Sequence, residues 1–262
     1  MINNQSKVKR KSLYINSEDP NKEAIFEGLD WLLQTCNSNN QNKALIAVPR
    51  KDDILPPSVI SEVIGIQAAK FLVRNKTVKL GNIDIKLLTE RESIYSWNGP
   101  ILAIYPTKKL LDKIDGLRDV TDVLVIPWSM NEVKFWINTW SANELGKPES
   151  SVKKFSLSNP VVEEALKSLT MCVNVSTGII HPQDRSRCIE LFKKLKNAGE
   201  MFNKEEIRAW LVAEGGWKPE HADDVANVAE AVLEGRRLRS SSGNWRNDIV
   251  EEWRRRANKS KG

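Results

Sequence analysis

Apolar positions along this chain fall into two textures, and one gives way to the other near residue 150. Before that point, short unbroken apolar runs alternate with stripes at helical spacing. Ala44-Leu45-Ile46-Ala47-Val48, Ile101-Leu102-Ala103-Ile104-Tyr105 and the run over 120–127 have no polar alternation and stop at Pro49, Pro106 and Pro127. Such runs predict strands buried on both faces. Between them, Ile25, Leu29, Leu32 and Leu33 predict a helix over 22–36, and Val59, Val63, Ala68 or Ala69, and Leu72 a second over 57–75. Two more helices are predicted over 108–114 and 130–145, the latter with Trp136 and Trp140 four residues apart on one face. Runs over 77–80 and 83–88, parted by Gly81-Asn82, predict a hairpin-like pair. Leu13-Tyr14-Ile15 predicts a short strand in an otherwise polar, mobile segment. Alternation of this kind predicts an α/β fold, a mainly parallel sheet covered by helices, with 77–88 as its antiparallel departure.

The stretch from Gly146 to Ser151 reads as a linker, and nothing beyond it reads as strand. Asn159-Pro160 starts a helix carrying Val162, Ala165, Leu166, Leu169 and Cys172; Asp184 starts another carrying Cys188, Leu191, Phe192 and Leu195. Asn203 caps a third, with Glu206 placed to reach back to the cap. Its inner face is Ile207, Trp210 and Leu211, with Arg208 pointing elsewhere. Gly215-Gly216 ends that helix and Pro219 starts a fourth, with Ala222, Val225, Ala229 and Val232 as its stripe. A last basic helix centres on Trp245, Ile249 and Trp253. The expected organisation is a mobile basic arm over 1–20, an α/β sheet domain over 21–148, an all-helical C-terminal domain over 155–239 and a basic amphipathic tail over 240–262.

Charge sharpens this division. The net charge is +6, and residues 236–262 alone carry that surplus: Arg236, Arg237, Arg239, Arg246, Arg254, Arg255, Arg256, Lys259 and Lys261 face Asp248, Glu251 and Glu252. Lys7, Lys9, Arg10 and Lys11 form a second basic cluster, so attraction to phosphate belongs to the termini. No apolar run approaches the roughly 20 residues a membrane helix needs, and no apolar segment follows the N-terminal basic cluster as in a secretory signal. A cytoplasmic protein without membrane contact is expected. Cys36, Cys172 and Cys188 are odd in number and widely spaced, with only two histidines in the chain. Neither a disulfide framework nor a zinc site is expected, and Cys172 and Cys188 read as small core residues.

In an open parallel sheet, ligands bind beyond the carboxyl ends of the strands. There the sequence offers Arg50, Asp52, Asp53, Lys108 and Trp128, a set that suits a phosphorylated or nucleotide-like ligand: cations on phosphate, an indole to stack, a carboxylate as base or ribose ligand. No glycine-rich phosphate motif accompanies them, and the prolines remove main-chain donors. His181 and His221 stand beside carboxylates but lack a nucleophile or a second histidine at ligand spacing, so helix-start roles are expected. No catalytic constellation, metal site or cofactor is predicted.

The helical pair over 203–235 has the outline of a helix-turn-helix, and Ile207-Arg208-Ala209-Trp210 through Gly215 resembles the DNA-binding domain of a nucleoid-associated protein family. That family's Arg-Gly-Arg segment has no counterpart here. The start of the second helix, Pro219-Glu220-His221-Ala222-Asp223-Asp224, is acidic where a recognition helix needs donors to phosphate and base edges. More broadly, Gly99-Pro-Ile-Leu-Ala-Ile-Tyr-Pro, Val123-Leu-Val-Ile-Pro-Trp and His181-Pro-Gln-Asp through Arg208-Ala-Trp resemble pieces of uncharacterised bacterial proteins that join an α/β half to a helical half. That resemblance implies a bacterial setting and no particular activity. The leading expectation is a non-catalytic binding or adaptor protein, contacting nucleic acid or an acidic protein through Arg236, Arg237, Arg239, Arg246, Arg254, Arg255 and Arg256. The alternatives are an enzyme or sensor at the strand ends and, from the nine tryptophans, a structural subunit of a larger protein complex.

Overall fold

A computed structural model describes residues 10–148, 156–241 and 244–259. The chain divides into two compact units, Met1–Val152 and Lys153–Gly262. The first is a sheet of seven strands: β1 (Lys11–Tyr14), β2 (Lys43–Ala47), β3 (Thr77–Leu80), β4 (Ile83–Leu88), β5 (Pro100–Ile104), β6 (Asp122–Ile126) and β7 (Asn143–Glu144), in the order β3-β4-β2-β5-β6-β1-β7. Only the β3–β4 pair is antiparallel. Every other pairing is parallel, including β2 with β4 in the register Lys43 to Asp84 through Ala47 to Leu88.

The continuous apolar runs follow from burial on both faces. Ala44, Ile46, Leu102, Ile104, Leu124 and Ile126 pack beneath α1 (Lys22–Ser38), α2 (Val59–Ile64) and α3 (Ile66–Asn75). Their neighbours Leu45, Ala47, Ile101, Ala103, Val123 and Val125 pack beneath α4 (Lys108–Asp115) and α5 (Met130–Trp140). Each large aliphatic side chain so buried stabilises the unit by about 1.5–3 kcal/mol relative to exposure. Asn21 caps α1, its side chain accepting the Ala24 N–H at 3.0 Å.

Three local departures from the sequence reading have physical causes. The helix expected over 57–75 is two helices, because Gly65 adopts φ 90° and ψ 134° between them while the apolar stripe continues through both. The helix expected over 130–145 stops at Trp140; Ser141 turns left-handed and Asn143–Glu144 joins the sheet edge as β7. Residues 10–20 are not a mobile arm. β1 pairs with β6 on one side and β7 on the other, with Ser12 and Leu13 buried. Arg10 is buried too, donating to Asp115 at 2.8 Å and lying 4.0 Å from the centre of the Trp140 ring. The indole N–H of Trp136 reaches the same Asp115 oxygen at 3.1 Å. Lys7 and Lys9 lie outside the described residues.

The second unit is all helix among its described residues: α6 (Pro160–Cys172), α7 (Pro182–Asn197), α8 (Lys204–Ala213), α9 (Pro219–Leu233) and α10 (Ile249–Lys259). Asn203 caps α8 by accepting the Glu206 N–H at 2.8 Å, but the Glu206 carboxylate goes to the Ser158 N–H and hydroxyl rather than back to the cap. Arg208, expected on an outer face, is buried and donates to Asp223 of α9 at 2.6 Å. The acidic start of α9 thus serves packing. His181 caps α7, its Nδ1 accepting the Gln183 N–H at 3.3 Å. His221 is buried, and its Nε2 donates to the Ser176 carbonyl at 3.0 Å. Cys36 and Cys188 are core residues, whereas Cys172 is exposed because the last turn of α6 runs out into solvent. Among the described residues, no helix is long and apolar enough to cross a membrane.

The C-terminal tail is docked. Val250, Trp253 and Ala257 form the buried stripe of α10 against α6, and the Trp253 indole N–H donates to the Ser168 hydroxyl at 2.9 Å. Trp245 precedes this helix rather than lying on it; its indole N–H caps the Arg187 carbonyl at 2.9 Å and its ring meets Trp253 edge to face at 5.6 Å.

Candidate functional site

The parallel arrangement places the carboxyl ends of β2, β4, β5 and β6 along one edge. The chain leaves β2 for α2 and α3 on one face of the sheet and leaves β5 for α4 on the other. Neighbouring β2 and β5 therefore form the topological switch point at which open α/β sheets bind ligands. Arg50, Asp52 and Asp53 follow β2, Lys108 follows β5 and Trp128 follows β6, as expected.

Four of these five side chains are engaged within their own neighbourhoods, and Asp52 is the exception. Asp53 accepts the Arg50 N–H at 2.8 Å and pairs with its guanidinium at 3.3 Å, closing a short 3-10 turn on which Asp52 stays exposed. Lys108 pairs with Asp112 one helical turn on, at 2.6 Å. Trp128 is 46% exposed and meets Tyr105 edge to face at 5.4 Å, while the Tyr105 hydroxyl accepts the Asn21 N–H at 2.9 Å.

The switch point is filled instead by the loop that follows β4. The Glu90 N–H donates to the Pro49 carbonyl at 3.2 Å, so the loop bridges to the end of β2. The Glu90 carboxylate accepts the Thr107 hydroxyl at 2.5 Å and pairs with Lys109 at 3.4 Å, both after β5. Glu92 accepts the Thr89 N–H at 3.0 Å and pairs with Lys76 at 3.1 Å. Lys113 donates to the carbonyls of Thr89, Glu90 and Glu92. Its pKa is lowered, first by desolvation and then by Lys109, against opposing pulls from Glu92 and Glu90. An anionic ligand arriving here would meet two carboxylates already occupying the lysines. Glu90, Glu92 and Lys113 escaped the sequence reading, because β4 looked like half of a hairpin. Its parallel pairing with β2 is what brings Thr89-Glu90-Arg91-Glu92 to the ligand-binding edge.

The C-terminal arginines divide into two sets. On α10, Arg254 donates to Glu200 at 2.8 Å, to Glu251 at 2.7 Å and to the Ala198 carbonyl at 2.9 Å. Arg255 and Arg256 both pair with Glu252, whose pKa is lowered chiefly by the Arg256 hydrogen bond. Arg246 pairs with Asp248 at 3.1 Å and Arg236 with Glu234 at 2.5 Å. Arg237 and Arg239 are exposed and have no hydrogen-bond or ion-pair partner among the described residues, and Arg185 on α7 shares that condition.

Arg237 and Arg239 nevertheless stand on an anchored segment. Gly235, at φ 74°, ends α9 and lets the Arg236 N–H return to the Ala231 carbonyl at 2.9 Å. From there residues 236–241 run as a strap along α7. Lys193 donates to the Leu238 carbonyl and the Ser240 hydroxyl, each at 3.2 Å, and the Ser241 N–H reaches the Ser186 hydroxyl at 3.4 Å. Asn244 then donates to Glu190 at 2.9 Å. The anchoring lysine at 193 carried no sequence signal, since its acceptors lie more than forty residues downstream. Among the described residues no group of three or more His, Cys, Asp or Glu side chains is arranged to hold a metal. Of the nine tryptophans, Trp128 is the exposed one.

Residues 158–254, which span the helical unit from the start of α6 into α10, match the family model of a domain of unknown function, DUF1889. No curated protein and no solved structure matches the chain.

Proposed function

We propose that this is a non-catalytic binding protein of the bacterial cytoplasm that holds nucleic acid through the strap at residues 236–241. The supporting observation is the contrast within the basic tail: Arg237 and Arg239 are unpaired on a main chain fixed to α7, whereas the arginines of α10 face their own carboxylates. An anchored main chain gives up little backbone freedom when its arginines meet phosphates, and each contact releases counterions. The strand-end edge supports a ligand-binding enzyme or sensor less well, because Glu90 and Glu92 already neutralise its lysines.

The test is binding of DNA and RNA at low salt by full-length protein and by an Arg237→Ala/Arg239→Ala variant. Removal of the strap arginines is expected to weaken binding at least tenfold, in line with a charge-assisted contact of about 1.5–3 kcal/mol per arginine. Full-length protein that binds an acidic protein partner but no nucleic acid would refute the proposal.

A further inference from the structure

Beside the strap, the helical unit carries a groove of about 290 Å³ between α7, α9 and the strap itself. Two exposed arginines, Arg185 from α7 and Arg236 from the strap, contribute to its lining. Asp224 and Asn227 stand along one wall, three residues apart on α9 and therefore on the same helical face; both are exposed. Val228, Ala231 and Leu238 add aliphatic groups to the lining, Val228 and Ala231 almost wholly covered. Arg236 is held by Glu234 and by its own N–H bond to Ala231, whereas Arg185 is unpaired among the described residues.

This combination suits one kind of guest. An exposed, unpaired guanidinium such as that of Arg185 can stack on a flat ring, and a carboxylate beside an amide reads the hydrogen-bonding edge of a base that has left its stack. The volume lies near the lower end of the range for small-ligand pockets, enough for a single base rather than a larger molecule. Arg237 and Arg239 continue from Arg236, where the phosphates flanking such a base would run.

We infer that the groove takes one unpaired nucleobase of a single strand, with the Asp224 carboxylate accepting from donor groups on its Watson–Crick edge. Guanine, which presents two such donors side by side, is favoured over thymine, which presents one. This rests on the nucleic-acid reading above and goes beyond it by naming single strands over duplex and a base preference. Duplex DNA keeps its bases paired and meets only the strap.

The experiment compares a labelled single strand of mixed sequence with the same sequence as duplex, using full-length protein and an Asn227→Trp variant. Asn227 is exposed, so the indole fills the groove without entering the core, and circular dichroism and melting confirm that the variant is folded. The wild type is expected to bind the single strand about tenfold more tightly than the duplex, the worth of one seated base. Asn227→Trp removes that advantage and leaves duplex binding unchanged, and Asp224→Asn removes the preference for guanine-containing over thymine-only strands. Equal binding of single strand and duplex by the wild type, unaltered in Asn227→Trp, overturns the groove inference while leaving the strap reading intact. No binding of either form by the wild type overturns both.

Discussion

Two parts of this protein gather cations at places where anions could bind, and they differ in what the chain supplies opposite them. At the strand ends of the sheet unit, Lys76, Lys109 and Lys113 are met by Glu90, Glu92 and the carbonyls of their loop. On the helical unit, Lys193 fixes the main chain of the strap and leaves Arg237 and Arg239 without carboxylates. The lesson is that the position of a basic residue in the sequence does not decide whether its charge is available. Availability depends on which acidic segment the topology brings alongside, and that differs even within the C-terminal tail, where Arg254, Arg255 and Arg256 are paired and Arg237 and Arg239 are not.

This contrast is broken most severely at Trp253. It is fully buried, and its N–H is tied to Ser168. Trp253→Ala is expected to destabilise the helical unit by about 3–5 kcal/mol, seen as loss of its denaturant transition, and to release α10 so that Arg254 is no longer ordered beside Glu200. An unchanged transition would mean that α10 is not docked in solution.

At the strand ends the contrast is sharpened by Glu90→Gln/Glu92→Gln. These pairs are partly exposed, so the change is expected to cost about 1 kcal/mol in stability or less. It leaves the lysines without carboxylates. In the Arg237→Ala/Arg239→Ala background it should restore weak, salt-sensitive attraction to nucleic acid, and failure to do so would show that those lysines are not held back by Glu90 and Glu92.

The smallest effect concerns acid. The pKa of Glu252 is lowered in the folded chain by Arg256 and Arg255, so its contribution to stability is fully present above the ordinary glutamate range and is lost as pH falls through the lowered value. A small stability difference between wild type and Glu252→Gln should hold at neutral pH and close under acid. A difference that widened on acidification would contradict the pairing.

Much of the architecture was legible in the sequence, because burial on both faces leaves an unbroken apolar run and burial on one face of a helix leaves a stripe. What escaped lacked such a signal. The Gly65 break interrupts the backbone but not the stripe, and the stop at Trp140 depends on a left-handed serine with no glycine or proline to announce it. β1 begins ahead of the apolar run, with Lys11 and Ser12, polar residues that pair with Asp122 and Val123 of β6 and carry no apolar signal. Arg208 looked like a surface residue until α9 placed Asp223 against it. Cys172 continues the α6 stripe by spacing, but it comes at the helix end, where no neighbour covers it.

For the candidate sites, the sequence singled out loops that follow the strand ends and the arginines of the tail, without revealing the partners of either. Arg50, Asp52, Asp53, Lys108 and Trp128 do follow the strand ends, yet the residues that fill the switch point come from the loop after β4, whose parallel pairing with β2 is a matter of topology. The seven C-terminal arginines looked equivalent in sequence. Helical spacing alone pairs Arg255 and Arg256 with Glu252, but only the packed unit brings Glu200 to Arg254 and leaves Arg237 and Arg239 unmatched.

The division of the tail is tested most directly by the salt dependence of nucleic-acid affinity in three proteins: wild type, Arg237→Ala/Arg239→Ala and Arg255→Ala/Arg256→Ala. If the strap makes the phosphate contacts, the slope of log affinity against log salt falls by about 1.4 for single strands, or about 1.8 for duplex, in the strap variant, and stays at the wild-type value in the helix variant. The reverse pattern, with the slope reduced by the α10 substitutions and untouched by those in the strap, would contradict it.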